Sequence, residues 1–251
     1  MISTLLFAAL PILAPPPLLQ DERRTSQQAA KAVDLDEQFD RLEEELEAAM
    51  DTWWDDYSAG REAGLPEAEL PAYPGETFLP RFEAIAGAGH LDAQMWMIQN
   101  SPYEDAASRL MWLERILGDH TNNPDLENLF PQMVWYFDAK DPAVFRILDR
   151  FIETTKVAPH GFDAQVAKGL ILMESRSKEQ KAEGLAMLKE LSKISRAFPM
   201  QRNLARAIFI AENLQIGMVA PNFEAVDVDG EPISLADYRG KVTVLDFWGF
   251  W

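Results

Sequence analysis

The first residues to ask about are those that could do chemistry, and the chain has few of them. Its 251 residues include no cysteine, so neither a thiolate nucleophile nor a disulfide exists within them. The three histidines, His90, His120 and His160, are not spaced four apart on any helix, which argues against an imidazole metal site and predicts surface or loop positions for them. No G-x-S-x-G occurs, and Ala86-Gly87-Ala88-Gly89 lacks the strand-turn-helix setting of a phosphate loop. Carboxylate pairs are too plentiful to single one out. What stands apart is Asp246, the one charged residue in the apolar run 242–248, with Phe247, Trp248 and Trp251 beside it. Aromatic residues also gather at Trp53-Trp54, Trp96, Trp112 and Trp135-Tyr136-Phe137. At helical spacing these are expected to be core, with Trp54, off the seam that carries Trp53, the best candidate for an exposed contact. No cofactor-binding or metal-binding residues are expected.

Composition bounds the partners. Hydrophobic residues make up 47% and charged residues 25%, the balance of a folded globular protein with a substantial core. The formal charge of −18 repels phosphate backbones and offers no basic footprint, so nucleic acid is excluded as a partner. The acidity reads as a solubilising surface.

Most of the chain must be helix. Residues 1–19 form an apolar run too short for a comfortable bilayer span and similar to the central region of a secretory signal. Residues 1–20 are therefore read as a signal peptide or membrane tether, with export to the periplasm or cell envelope expected. Residues 21–33 turn polar and read as a linker passing into helix. Leu35, Phe39, Leu42, Leu46, Ala49, Trp53 and Tyr57 then recur at steps of four and three, one apolar stripe whose remainder is filled by glutamates. Pro66, Pro71 and Pro74 break that helix. Shorter helices are expected at 77–86, 91–99, 103–117, 124–136, 142–155, 162–173, 178–195 and 200–214. Pro124 and Pro142 fall early, where a missing N–H costs nothing. The pair 162–173 and 178–195 is loosely similar to a tetratricopeptide repeat, with small residues where the helices would approach, so residues 34–214 read as a bundle or a repeat-like stack that could serve a protein partner.

The remaining stretch, 216–251, has a different grammar. Phe223 begins an apolar-polar alternation, Asp229-Gly230 supplies a tight turn and Ile233 resumes, which is a β-hairpin signal. Ser234 is placed to cap a short turn over 235–238 with Asp237 at its third position, and Gly240 ends it. The run 242–248 reads as a strand buried on both faces.

At these residues the chain resembles the thioredoxin-like redoxins, specifically the TlpA-like thiol-disulfide oxidoreductases. Gly217, Ala220, Pro221 and Phe223 match a G-x-x-A-P-x-F lead. Ser234, Leu235, Tyr238, Gly240 and Lys241 match the segment after the D-G turn, and Phe247, Trp248 and Trp251 match F-W-x-x-W. The resemblance implies a mainly α protein whose helical domain is followed by the N-terminal part of a thioredoxin-like α/β domain: hairpin, short helix and one central strand. In that family a Cys-x-x-Cys follows the last tryptophan and exchanges disulfides with protein substrates. Asp246 then stands where the family's buried carboxylate assists proton transfer, with a raised pKa, and Trp251 flanks the dithiol, Phe247 and Trp248 packing near it. The sequence is expected to be cut just short of that motif, which would leave these 251 residues inactive by themselves. The alternatives are a peroxiredoxin-type thiol peroxidase, which shares the A-P-x-F lead, and a non-enzymatic helical interaction protein.

Overall fold

The computed structural model describes residues 17–102, 105–194 and 200–246, with side chains from residue 33 onward. Over those residues the protein is mainly helical, and a two-stranded antiparallel sheet follows the last helix. It divides into two compact units, one ending at Thr121 and the other beginning at Asn122, so the helical region expected over 34–214 is shared between them.

In the first unit, α1 (Pro17–Glu62) is long because nothing in it breaks a helix: no proline follows Pro17 and no glycine precedes Gly60. The helix therefore runs through residues 21–33, where alanine, glutamine and lysine all favour it. Its predicted stripe faces inward, with Phe39 and Leu42 buried and Leu35, Leu46, Ala49, Trp53 and Tyr57 half-buried, while Glu43, Glu44, Glu45 and Glu47 face water. Gly64, at φ +74°, turns the chain into the proline-rich segment, which holds one 3-10 turn, Glu67–Glu69. α2 (Gly75–Gly87) packs on α1, α3 (Leu91–Asn100) on α2 and α4 (Ala106–Asp119) on α3. The core between them is aromatic. Phe39 meets the edge of Phe82 at 5.8 Å, and Phe82 stacks on Trp96 at 3.7 Å. Phe82 is fully buried, a contribution of about 2–3 kcal/mol from area alone.

The second unit departs from expectation at its start. The helix predicted over 124–136 is two 3-10 turns, Pro124–Asn128 and Phe130–Gln132, and a single α turn, α5 (Met133–Tyr136). Pro131 is the cause: it has no N–H for a bond four residues back, and its ring collides with the carbonyl there. Bonds three residues apart take over, from Leu129 N–H to Leu126 O and from Gln132 N–H to Leu129 O. α6 (Pro142–Thr154), α7 (Ala158–Met173), α8 (Lys178–Ser192) and α9 (Gln201–Asn213) follow close to their predicted spans. Pro124 and Pro142 both occupy the first helical position.

α7 and α8 are the most closely apposed pair, and glycine makes this possible. A Cβ on Gly184 would lie 2.6 Å from the carbonyl oxygen of Gly169, and one on Gly169 would lie 2.6 Å from a Leu188 methyl. The small positions anticipated from the sequence are thus where backbone meets backbone.

Candidate functional site

The C-terminal segment is built from local bonds. β1 (Glu224–Val226) pairs antiparallel with β2 (Pro232–Ser234), Ala225 opposite Ile233. Between them the Asp227 carboxylate accepts from the N–H groups of Asp229 and Glu231, both at 2.9 Å, and Gly230 takes φ +85°, as a turn of this kind needs. Ser234 then caps the 3-10 turn Leu235–Tyr238 in a full capping box, the Asp237 carboxylate accepting from the Ser234 N–H at 3.2 Å. Asn222 reinforces it: its Oδ1 accepts from the Ala236 N–H at 2.8 Å and from the Ser234 hydroxyl at 3.0 Å. Gly240, at φ +83°, ends the turn, and Lys241 Nζ lies 5.8 Å from the centre of the Tyr238 ring.

Beyond Lys241 the structure differs from the sequence reading. Residues 242–246 form no strand ladder and are exposed, Val242 at 99%, rather than buried on both faces. An apolar strand of this kind is central only when neighbours pair with both of its edges, and none does among the described residues. Asp246 accordingly faces water. Phe247, Trp248 and Trp251 lie outside the described residues.

The other groups capable of chemistry are in the helical units. His90 and His160 are buried, not at the surface as predicted. His90 is a helix cap: its Nδ1 accepts from the Ala93 N–H at 3.1 Å, and its Nε2 lies 3.0 Å from the Asp36 carboxylate. His120, at the end of α4, is half-buried with Nε2 unpartnered, and burial lowers its pKa below the ordinary 6.5. Asp163 was not singled out from the sequence, yet it is fully buried in α7. One oxygen accepts from the Met200 N–H at 3.2 Å and the other has no partner, so burial raises its pKa to about 6. The one available signal was its place as the lone acid in the stretch Gly161-Phe162-Asp163-Ala164. Among the described residues no three His, Asp or Glu side chains converge as a metal site would require.

The aromatic residues divide. Trp112 and Phe137 are buried, and Trp53, Trp96 and Tyr136 half-buried. Trp54, the expected exposed contact, is 60% exposed. Trp135, read as core, is 79% exposed. Met133 and Phe137, four residues apart, take the inward face of α5, and Trp135 between them points away.

The family match falls on the C-terminal segment. Residues 216–251 match the model of the AhpC/TSA family. That segment is therefore similar in sequence to the thioredoxin-like redoxins. Over 40 residues the chain is 48% identical to the thiol-disulfide oxidoreductase ResA of Bacillus thuringiensis subsp. konkukian, covering 16% of this chain and 23% of that protein. It is 45% identical over 40 residues to ResA of Bacillus subtilis, covering 16% and 22%. ResA of Geobacillus thermodenitrificans is 47% identical over 36 residues, covering 14% and 21%. The chain thus spans less than a quarter of the length of these relatives. No solved structure matches significantly. Among the described residues no helix is long and apolar enough to cross a membrane.

Proposed function

We propose that residues 216–251 are the opening of a TlpA-like redoxin domain and that the whole protein is an exported thiol-disulfide oxidoreductase acting on thiol-containing proteins. The observation that carries this reading is the agreement between sequence and geometry at 222–241. The residues that match the redoxin pattern are the ones that close the hairpin, cap the short helix and terminate it at Gly240.

Exchange needs two thiols. A thiolate attacks one sulfur of the substrate disulfide and releases the other as a thiolate, and a second cysteine then displaces the bound substrate, leaving the enzyme oxidised and the substrate reduced. These 251 residues supply neither thiol. Their part is positional: Asp246, once enclosed, takes and returns the proton of the second cysteine, and Trp251 borders the approach to the dithiol.

The test is reduction of insulin disulfides by dithiothreitol with two proteins, the 251-residue chain and the product of a reading frame that continues past Trp251, a stop codon at that point rejecting the proposal outright. Catalysis by the longer protein alone supports the proposal. A longer protein that retains two cysteines and is inactive rejects it. The AhpC/TSA match keeps a second reading in play, a thiol peroxidase, for which the longer protein would consume hydrogen peroxide in a thiol-dependent manner without accelerating insulin reduction.

A further inference from the structure

At the C-terminal end of α1, four rings meet and remain partly open. Trp53 is committed to the fold: its Nε1 donates to the Pro71 carbonyl at 2.9 Å, and Tyr73 packs edge-on against it at 5.5 Å. Trp54 is not. Its ring lies parallel to Tyr57, 18° between planes with centres 6.3 Å apart, and most of its surface faces water although large aromatics usually gain by being covered. Together these rings, with Pro71 and Glu67, line a cleft of about 760 Å³.

The chemistry of the cleft selects its occupant. Glu67 is the one charged side chain in its lining. Residues 51–69 carry six acidic side chains, Asp51, Asp55, Asp56, Glu62, Glu67 and Glu69, against the single cation Arg61. An anionic ligand would meet an unfavourable field there, whereas a cation is attracted both by the carboxylates and by the negative faces of the rings. Arg61 already shows the pairing. Its guanidinium reaches Glu67 at 3.8 Å, but both side chains stand largely in water, so the contact is weak and exchangeable. A guanidinium suits such a lining better than an ammonium, because its flat face can stack on an indole while its N–H fork remains free for a carboxylate. The volume exceeds what one such group fills, so it also admits the flanking peptide.

We propose that this cleft docks an arginine-bearing segment of a protein partner, the guanidinium stacking on Trp54 and donating to Glu67. The site involves no thiol and stands or falls apart from the redox reading.

The test uses the full chain and three blocked pentapeptides, Gly-X-Gly-X-Gly, with X arginine, lysine or citrulline, titrated by calorimetry at low salt. The arginine peptide is expected to bind, the lysine peptide more weakly, and the neutral citrulline peptide at least about tenfold more weakly. Trp54→Ala and Glu67→Gln should each weaken arginine binding by about tenfold with the circular dichroism of the helices unchanged, since both side chains are exposed. Trp135→Ala, an exposed tryptophan in the other unit, should leave binding unchanged. Equal binding of the citrulline and arginine peptides, no binding of the arginine peptide at millimolar concentration, or equal losses in the Trp54 and Trp135 variants would each overturn the proposal, the last by showing only general attraction to an acidic protein.

Discussion

Asp163 is the side chain whose surroundings most change its chemistry. Buried with one oxygen unpartnered, it holds its proton up to about pH 6, against 3.8 for the free side chain. The folded chain therefore keeps a proton that the unfolded chain gives up, and the stability linked to that proton is complete below about pH 4 and lost as pH rises through 6. Asp163→Asn keeps an oxygen for the Met200 N–H and removes the charge. It should stabilise the protein at pH 7 by of order 1–2 kcal/mol, allowing for screening by nearby water, and should flatten the dependence between pH 4 and 6 in urea denaturation. His120 works in the opposite sense. Its pKa is lowered by burial, so its contribution is present above pH 6.5 and lost as pH falls through the folded value. In a proton-resonance titration its midpoint should lie below 6.5, and His120→Gln should remove that part of the acid-side loss. Neither residue announced itself in the sequence. What buries Asp163 includes the start of α9, nearly forty residues away, and one of the partners that holds His90 inward is Asp36 on another helix; such distant contacts leave no local pattern.

Among the elements, the α7–α8 apposition is the most sensitive to a single side chain. Gly184→Val would place carbon within 2.6 Å of a backbone oxygen that cannot retreat without moving the helix. A loss of about 1–3 kcal/mol is expected, seen as a lowered denaturation midpoint, while Gly118→Ala, with open space around the added carbon, should not destabilise. Ser234→Ala removes a cap worth about 1 kcal/mol to the short helix and should show as faster amide exchange at Ala236 and Asp237 rather than as global unfolding. This scale was the most legible in the sequence. The α1 stripe, Pro142 at a helix start, the glycines between α7 and α8 and the Ser234 cap are all local chemistry written in adjacent residues. The failure at 124–136 is instructive, because Pro131 stood in plain view and its missing donor alone is enough to interrupt an α-helix there.

For the molecule as a whole, the question is what its exposed apolar tail does. Val242 and Val244 are nearly fully exposed, and Leu245 about half. A stretch of this kind with no pairing partner among the described residues invites association between copies. Concentration-dependent light scattering of the 251-residue chain should fall on Val242→Lys with Val244→Glu, with no change in helical content. The division at 121/122 escaped sequence reading because Thr121-Asn122-Asn123-Pro124 looks like any other break between helices. The strand was overread across the described residues 242–246 for a related reason: composition states what a segment prefers to be beside, but not whether that neighbour is present.

The bonds that shape residues 222–241 have a kinetic corollary. The longest of them, from Ala236 to Asn222, closes a loop of 14 residues, and the others are shorter. Little chain must be searched before such contacts form, so the hairpin can assemble in about 1–10 μs without waiting for either helical unit. Two strands alone are only marginally stable, so it should also come apart readily. It would behave as a template that forms and dissolves many times a second until other chain locks onto it, and its amides should exchange with deuterium orders of magnitude sooner than those of Phe82 or Leu148.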